Sequence, residues 1–283
     1  MGVIAALLCA FTSTAKDLTS KSIASRVHPD VSTFASFLFA LPYYAAILSA
    51  VLLFGGETVT FSSAFIVLVL LRGISDVFAE GFKMRALEAG DVSLVTGLLS
   101  LSPLILTVLT PVLTNDTVSA KEGVSVVLIV IGGLLLIGRR GTRGTLTKPK
   151  AILYSLAGSF AFAMNTVLDK LAVAQAGPVT SAFSVTICAA LLTLPALLRV
   201  PLAKPQLQNN LRSLLLRGLF ETVFMIAKMA ALVVLPAHIV MGIMRVSILL
   251  TVVLGGALFK EEHRAQRIFG TLVMYLGLLG LLL

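Results

Sequence analysis

Four ionisable residues share one face of an otherwise apolar stretch. Arg72, Asp76, Glu80 and Lys83 stand at i, i+4, i+8 and i+11. On an α-helix those offsets stack the side chains along a single stripe. Each Arg can pair with the acid one turn on, which lowers the cost of burying either group. The pattern returns 145 positions later as Arg217, Glu221 and Lys228, with Met225 in the place of Glu80. Seven of the 17 positions from 71 to 87 are identical to their counterparts from 216 to 232. A charged side chain in hydrocarbon costs roughly 2.5–3.5 kcal/mol, so keeping such a row twice calls for a reason. The acids can carry protons, and the guanidinium groups can hold a carboxylate or a phosphate. The structural alternatives are ion pairs that lock helices together and, for Lys83 and Lys228, snorkelling to a membrane surface.

Three more side chains join the candidates. Lys16 lies deep in the first apolar segment and aligns with Asn165 at an offset of 149. Asp169, beside Lys170, is expected near a helix end, where snorkelling would place it at the interface. His238 and Arg245 stand seven apart in a later segment, on one helical face. A histidine titrates at about pH 6.5 and is a proton carrier in principle; its position two residues after Pro236 also suits an interfacial role. Arg245 is too far from a helix end to snorkel easily. Its expected partner is Glu221, across the short turn at Pro236, with Arg217 flanking the same carboxylate. In the first half, Ser100-Leu101-Ser102-Pro103 occupies the place of Arg245. Pro103 frees a backbone carbonyl, and such breaks often border a cavity.

Composition decides the solvent of these segments. The 283 residues are 58% hydrophobic and 12% charged, with a mean hydropathy of +1.02. A soluble domain carries about 25% charged residues, so the chain reads as an integral membrane protein with the lipid bilayer as partner. The net charge of +9 comes mostly from short connections between apolar runs and acts as a topology signal. No basic stripe with interleaved aromatics is present, which excludes a nucleic-acid partner. Cys9 and Cys188 lie in apolar runs and read as packing residues. His28, His238 and His263 offer no metal-ligand spacing, so no metal or cofactor is expected. There is no Walker loop, Gly-x-Ser-x-Gly or His-Glu-x-x-His, so no catalytic residue is assigned and the chain is not read as an enzyme.

A membrane-spanning helix needs about 20 apolar residues. Ten segments qualify, at roughly 3–24, 33–54, 62–86, 92–114, 122–138, 151–173, 178–199, 211–235, 237–259 and 267–283. No basic residue precedes the first apolar run, so that run reads as a membrane helix rather than a cleaved leader. A basic connection at 139–150 separates two halves, 1–138 and 151–283. Phe11, Lys21, Pro29, Ser32 and Phe34 fall on Phe160, Lys170, Pro178, Ser181 and Phe183 at an offset of 149. After the second segment the offset is 145, pairing Asp116 with Glu261 and Gly132 with Gly277. These acids read as helix-start residues, and Gly132, Gly133, Gly277 and Gly280 as close-packing sites. Five segments per half is an odd number, so the fold class is all-α and membrane-integral, with ten helices in two inverted five-helix repeats.

Each half closes on an apolar helix, an acid, a short polar turn and a Gly-containing helix. In the second half this reads Leu254-Gly255-Gly256-Ala257-Leu258-Phe259-Lys260-Glu261, followed by Gly270 and Gly277. With the repeat, the chain resembles the drug/metabolite transporter superfamily, EamA type. Asn115-Asp116 and Ser125 depart from that pattern in the first half. The resemblance implies a ten-helix permease with a central cavity, moving a small polar or charged metabolite such as an amino acid or organic anion. It also admits a multidrug or hydrophobic-cation exporter. Rivals of another class are an intramembrane lipid-modifying enzyme and a non-transporting membrane subunit. The candidate substrate-binding or proton-coupling residues are Lys16, Arg72, Asp76, Glu80, Lys83, Arg217, Glu221, Lys228, His238 and Arg245. Protons are a candidate coupling ion, and a bacterial inner membrane is the expected location. Basic residues concentrate after odd-numbered segments, which places both termini outside the cytoplasm; the resemblance implies the opposite orientation.

Overall fold

The computed structural model describes residues 1–23, 26–57, 62–89, 95, 98–137, 149–248, 250 and 264–283. Most of the basic connection at 139–150, Thr251 and the motif from Leu254 to Glu261 lie outside the described residues. All regular structure among the described residues is helical: α1 (Gly2–Ile23), α2 (Pro29–Leu38), α3 (Leu41–Leu53), α4 (Ser63–Ala89), α5 (Ser102–Leu113), α6 (Ala120–Ile137), α7 (Pro149–Ala176), α8 (Pro178–Leu198), α9 (Ala203–Asn209), α10 (Leu211–Val234), α11 (Ala237–Met244) and α12 (Arg264–Leu282). Proline opens several of them, in the first turn where a missing N–H costs nothing. Among the described residues three stretches are long and apolar enough to cross a membrane by length and composition alone: Asp30–Leu53, Pro149–Ala176 and Pro178–Leu198. Helices α1, α4 and α10 are comparably long, at 22, 27 and 24 residues, but carry the charged rows.

Two compact units divide the described chain, and each draws on both sequence halves. The first comprises Met1–Val77 and Leu168–Val234; the second comprises Phe78–Val167 and Leu235–Leu283. In the first unit α1 packs along α10, and α2 along α8. The segment expected as one helix from 33 to 54 is two, α2 and α3, because Pro42 cannot donate to the carbonyl of Leu38. The break is buried against α10. A Cβ at Gly218 would collide with the carbonyl of Phe39, and the Thr222 hydroxyl donates to the Ala40 carbonyl at 3.3 Å. The N-terminus of α8 is capped from a distance. Glu57 accepts from the Val179 and Thr180 amides at 2.9 and 3.0 Å and from the Thr180 hydroxyl at 3.0 Å. A carboxylate there satisfies helix-start N–H groups and complements the helix dipole.

In the second unit α6 packs along α12 and α5 along α11. The α6–α12 seam is reciprocal. A Cβ on Gly132 would stand 2.5 Å from the Met274 backbone nitrogen, and one on Gly277 would stand 2.8 Å from that of Ile129. Residues 129 and 274, like 132 and 277, are 145 apart, so each glycine faces the counterpart of the other's neighbour. Helix α6 starts on a capping box: Ser119 Oγ accepts from the Glu122 amide, and Glu122 accepts from the Ser119 amide at 2.7 Å. The acid at this helix start is therefore Glu122, and Asp116 lies in the preceding turn, accepting from the Thr114 hydroxyl at 3.0 Å.

Candidate functional site

Six charged side chains of the first unit form two clusters. Asp169 on α7 is fully buried and holds two cations. Its Oδ1 accepts from Arg72 Nε at 2.7 Å and its Oδ2 from Lys228 Nζ at 2.7 Å. Arg72 also meets Asp76 Oδ1 at 3.0 Å, the pairing expected from the one-turn spacing. Arg72 and Lys228 are only 4% and 5% exposed, so neither snorkels to a surface. Asp169 stands well inside its helix because α7 runs on to Ala176, where Gly177 at φ 78° ends it. The expected position near a helix end is corrected accordingly.

Lys16 on α1 reaches Glu221 Oε2 on α10 at 3.0 Å and lies 4.2 Å above the centre of the Phe224 ring. The ring's negative face adds a cation–π attraction to the ion pair. Glu221 is thus held by Lys16 from α1, where a pairing with Arg217 one turn away was expected. Cys9 and Tyr44, both buried, lie within electrostatic reach of Glu221 and Asp169. In these two clusters three cations, Lys16, Arg72 and Lys228, stand against three acids, Asp76, Asp169 and Glu221.

Arg217 is held differently. Its Nη1 donates to the Ser32 carbonyl at 2.7 Å and to the Ser32 hydroxyl at 2.5 Å. Both acceptors are neutral. Among the described residues no carboxylate pairs with it, and its Nε is buried without a hydrogen-bond partner. An unsatisfied buried donor costs about 1–3 kcal/mol, more for a charged group.

The remaining candidates belong to the second unit. Glu80 and Lys83 pair at 3.4 Å and are part-exposed. His238 is fully buried in the first turn of α11, with Nε2 3.7 Å from Glu122 Oε2. Arg245 donates from Nη2 to the Leu99 carbonyl at 3.3 Å and, by a short bond, to the Ser102 hydroxyl. The acceptor has a sequence explanation: Pro103 has no N–H to offer the carbonyl four residues back, which is that of Leu99. The chain tightens near both matched positions, one residue apart in register. The Leu101 amide bonds to Leu98 and the Arg245 amide to Gly242, each a three-residue turn rather than a helical one.

The sequence therefore located most of these charges and the Arg72–Asp76 pair, but not the partners of Asp169, Glu221 and Arg217. Asp169 and Ser32 carried little signal. The first required the true end of α7, marked only by Gly177. The second is an ordinary serine whose role comes from α2 lying against α10. Among the described residues no group of three or more His, Cys, Asp or Glu is placed to hold a metal ion. Buried charges inside membrane helices are costly and are found where they pair with one another or line a polar pathway.

One solved crystal structure of a protein superposes on this chain with a TM-score of 0.76 at 14% identity, covering 99% of this chain and 96% of that one. At that identity the likeness speaks for the fold alone. No curated protein matches the sequence. The model of the EamA-like transporter family matches residues 1–138 and 149–283. On that match, the chain belongs to the EamA-like transporter family and is an integral membrane protein.

Proposed function

We propose that the chain is a secondary transporter that moves a small polar or charged metabolite by alternating access. It would do so with ten membrane spans in two inverted repeats, 1–138 and 151–283, joined by the basic connection at 139–150. The reading places it in a bacterial inner membrane. The observation that carries it is the buried network of Arg72, Asp76, Asp169 and Lys228 beside the Lys16–Glu221 pair. Membrane proteins keep such groups where solutes or protons pass. The duplication is supported by the two stretches matched by the family and by the reciprocal Gly132–Met274 and Gly277–Ile129 contacts. The pairing of each acid here with a cation argues against a hydrophobic-cation exporter, which needs an acid left for the drug.

Asp76 and Glu221 are the proposed proton carriers, since each is an acid inside the paired network and neither side chain is fully enclosed. Neutralising either should uncouple the pair without unfolding the protein. In reconstituted vesicles, Asp76→Asn and Glu221→Gln are expected to insert at near-normal levels. Transport should fall at least about tenfold, a loss of about 1.4 kcal/mol, or change its pH dependence. Wild-type rates for both variants from about pH 5.5 to 8 would remove the proton-carrier role.

A further inference from the structure

We infer that Arg217 is the anion-recognition residue of this transporter, taking a carboxylate or phosphate group of the substrate. The inference rests on the transport reading above and adds the substrate's charge. It starts from the repeat. Arg72 and Arg217 are counterparts at an offset of 145. Arg72 is doubly neutralised, by Asp76 on its own helix and by Asp169. Neither acid is supplied to Arg217. The counterpart of Asp76 is Glu221, which Lys16 has taken. The counterpart of Asp169, at an offset of 149, is Ser20, which carries no charge. Duplication thus left one arginine without the carboxylates its twin has.

The geometry agrees with the charge count. The three acids of the two clusters are matched by three cations, and Arg217 is a further positive charge. Its Nη1 is anchored on both Ser32 acceptors, which fixes the plane of the guanidinium. Nε has no partner. A carboxylate or phosphate can bridge Nε and Nη2 through two parallel hydrogen bonds, the arrangement a planar fork favours and a lysine cannot reproduce. Nε is enclosed in this conformation, so full engagement needs a small separation of α2 from α10, a motion that alternating access can supply.

The test uses purified full-length protein and ligands that differ only in charge: glutamate against glutamine, succinate against succinamide, and inorganic phosphate. Binding is followed by calorimetry and by thermal unfolding. The wild type is expected to bind at least one of the anions and to bind its amide at least about tenfold more weakly. Arg217→Gln should lose that preference, and Arg217→Lys should keep it at reduced affinity. The inference is overturned if no anion of the set binds, if acid and amide bind alike, or if folded Arg217→Gln binds the acid as the wild type does. A lowered unfolding midpoint with unchanged acid affinity also overturns it and makes Arg217 a tether between α2 and α10. Binding of the acid without vesicle transport would instead defeat the transport reading and leave the anion site standing.

Discussion

Asp169→Asn is expected to destabilise the protein by about 3–5 kcal/mol, the usual cost of breaking a buried ion pair on one side. The carboxylate gives one oxygen to Arg72 and the other to Lys228, each at 2.7 Å. The amide keeps one acceptor and turns an N–H₂ group toward the other cation. Water does not reach the position, since Asp169 is fully buried. In detergent the unfolding midpoint should fall on the order of 10 °C. Adding Lys228→Met should recover more than half of the loss. The second change removes the stranded ammonium, while Arg72 keeps Asp76 at 3.0 Å. An unchanged midpoint in the single variant would mean that the two pairs do not contribute to folding in the membrane.

The second large effect is expected at the α6–α12 seam. Gly132→Ala places a Cβ within 2.7 Å of three Met274 atoms, two of them backbone. A backbone cannot rotate away as a side chain can, so the helices must part. Overpacking of this kind costs about 1–3 kcal/mol, and the loss of close helix contact adds to it where apolar burial gives no compensation. Gly277→Ala should behave alike, since it meets the Ser125 carbonyl and Ile129 in the reciprocal contact. Gly123→Ala is the internal control on the same helix. Nothing lies within 4 Å of its added Cβ, so it should be neutral or gain up to about 1 kcal/mol of helix propensity. Equal thermal stability of all three variants would contradict the packing account.

Much of this organisation was legible in the chain. Composition identified the bilayer as solvent, and most described helices start or stop where Pro and Gly stand. The rows Arg72-Asp76 and Arg217-Glu221 were visible because charge inside apolar runs is rare. The glycine seam was visible because Gly132 and Gly277 recur at the repeat offset. What the sequence did not show is which partner wins when several lie within reach. Glu221 stands one turn from Arg217, a spacing that suits a surface helix pair, yet Lys16 reaches it from α1. Arg245 was assigned an acid because an unpaired arginine is costly. Its described hydrogen bonds go to the carbonyl that Pro103 releases and to the Ser102 hydroxyl. Local spacing describes one helix at a time, whereas these contacts are set by which helices pack together.

A transporter of this kind carries a polar or charged solute across a bilayer. The direct measurement is solute flux in vesicles reconstituted with the purified protein, using a panel of labelled amino acids and organic anions, with and without an imposed proton gradient. Saturable uptake of at least one solute above protein-free vesicles is expected, with Glu221→Gln slowed or altered in its response to the gradient. Flux equal to that of protein-free vesicles for every solute, with the protein folded and inserted, would contradict the transport reading.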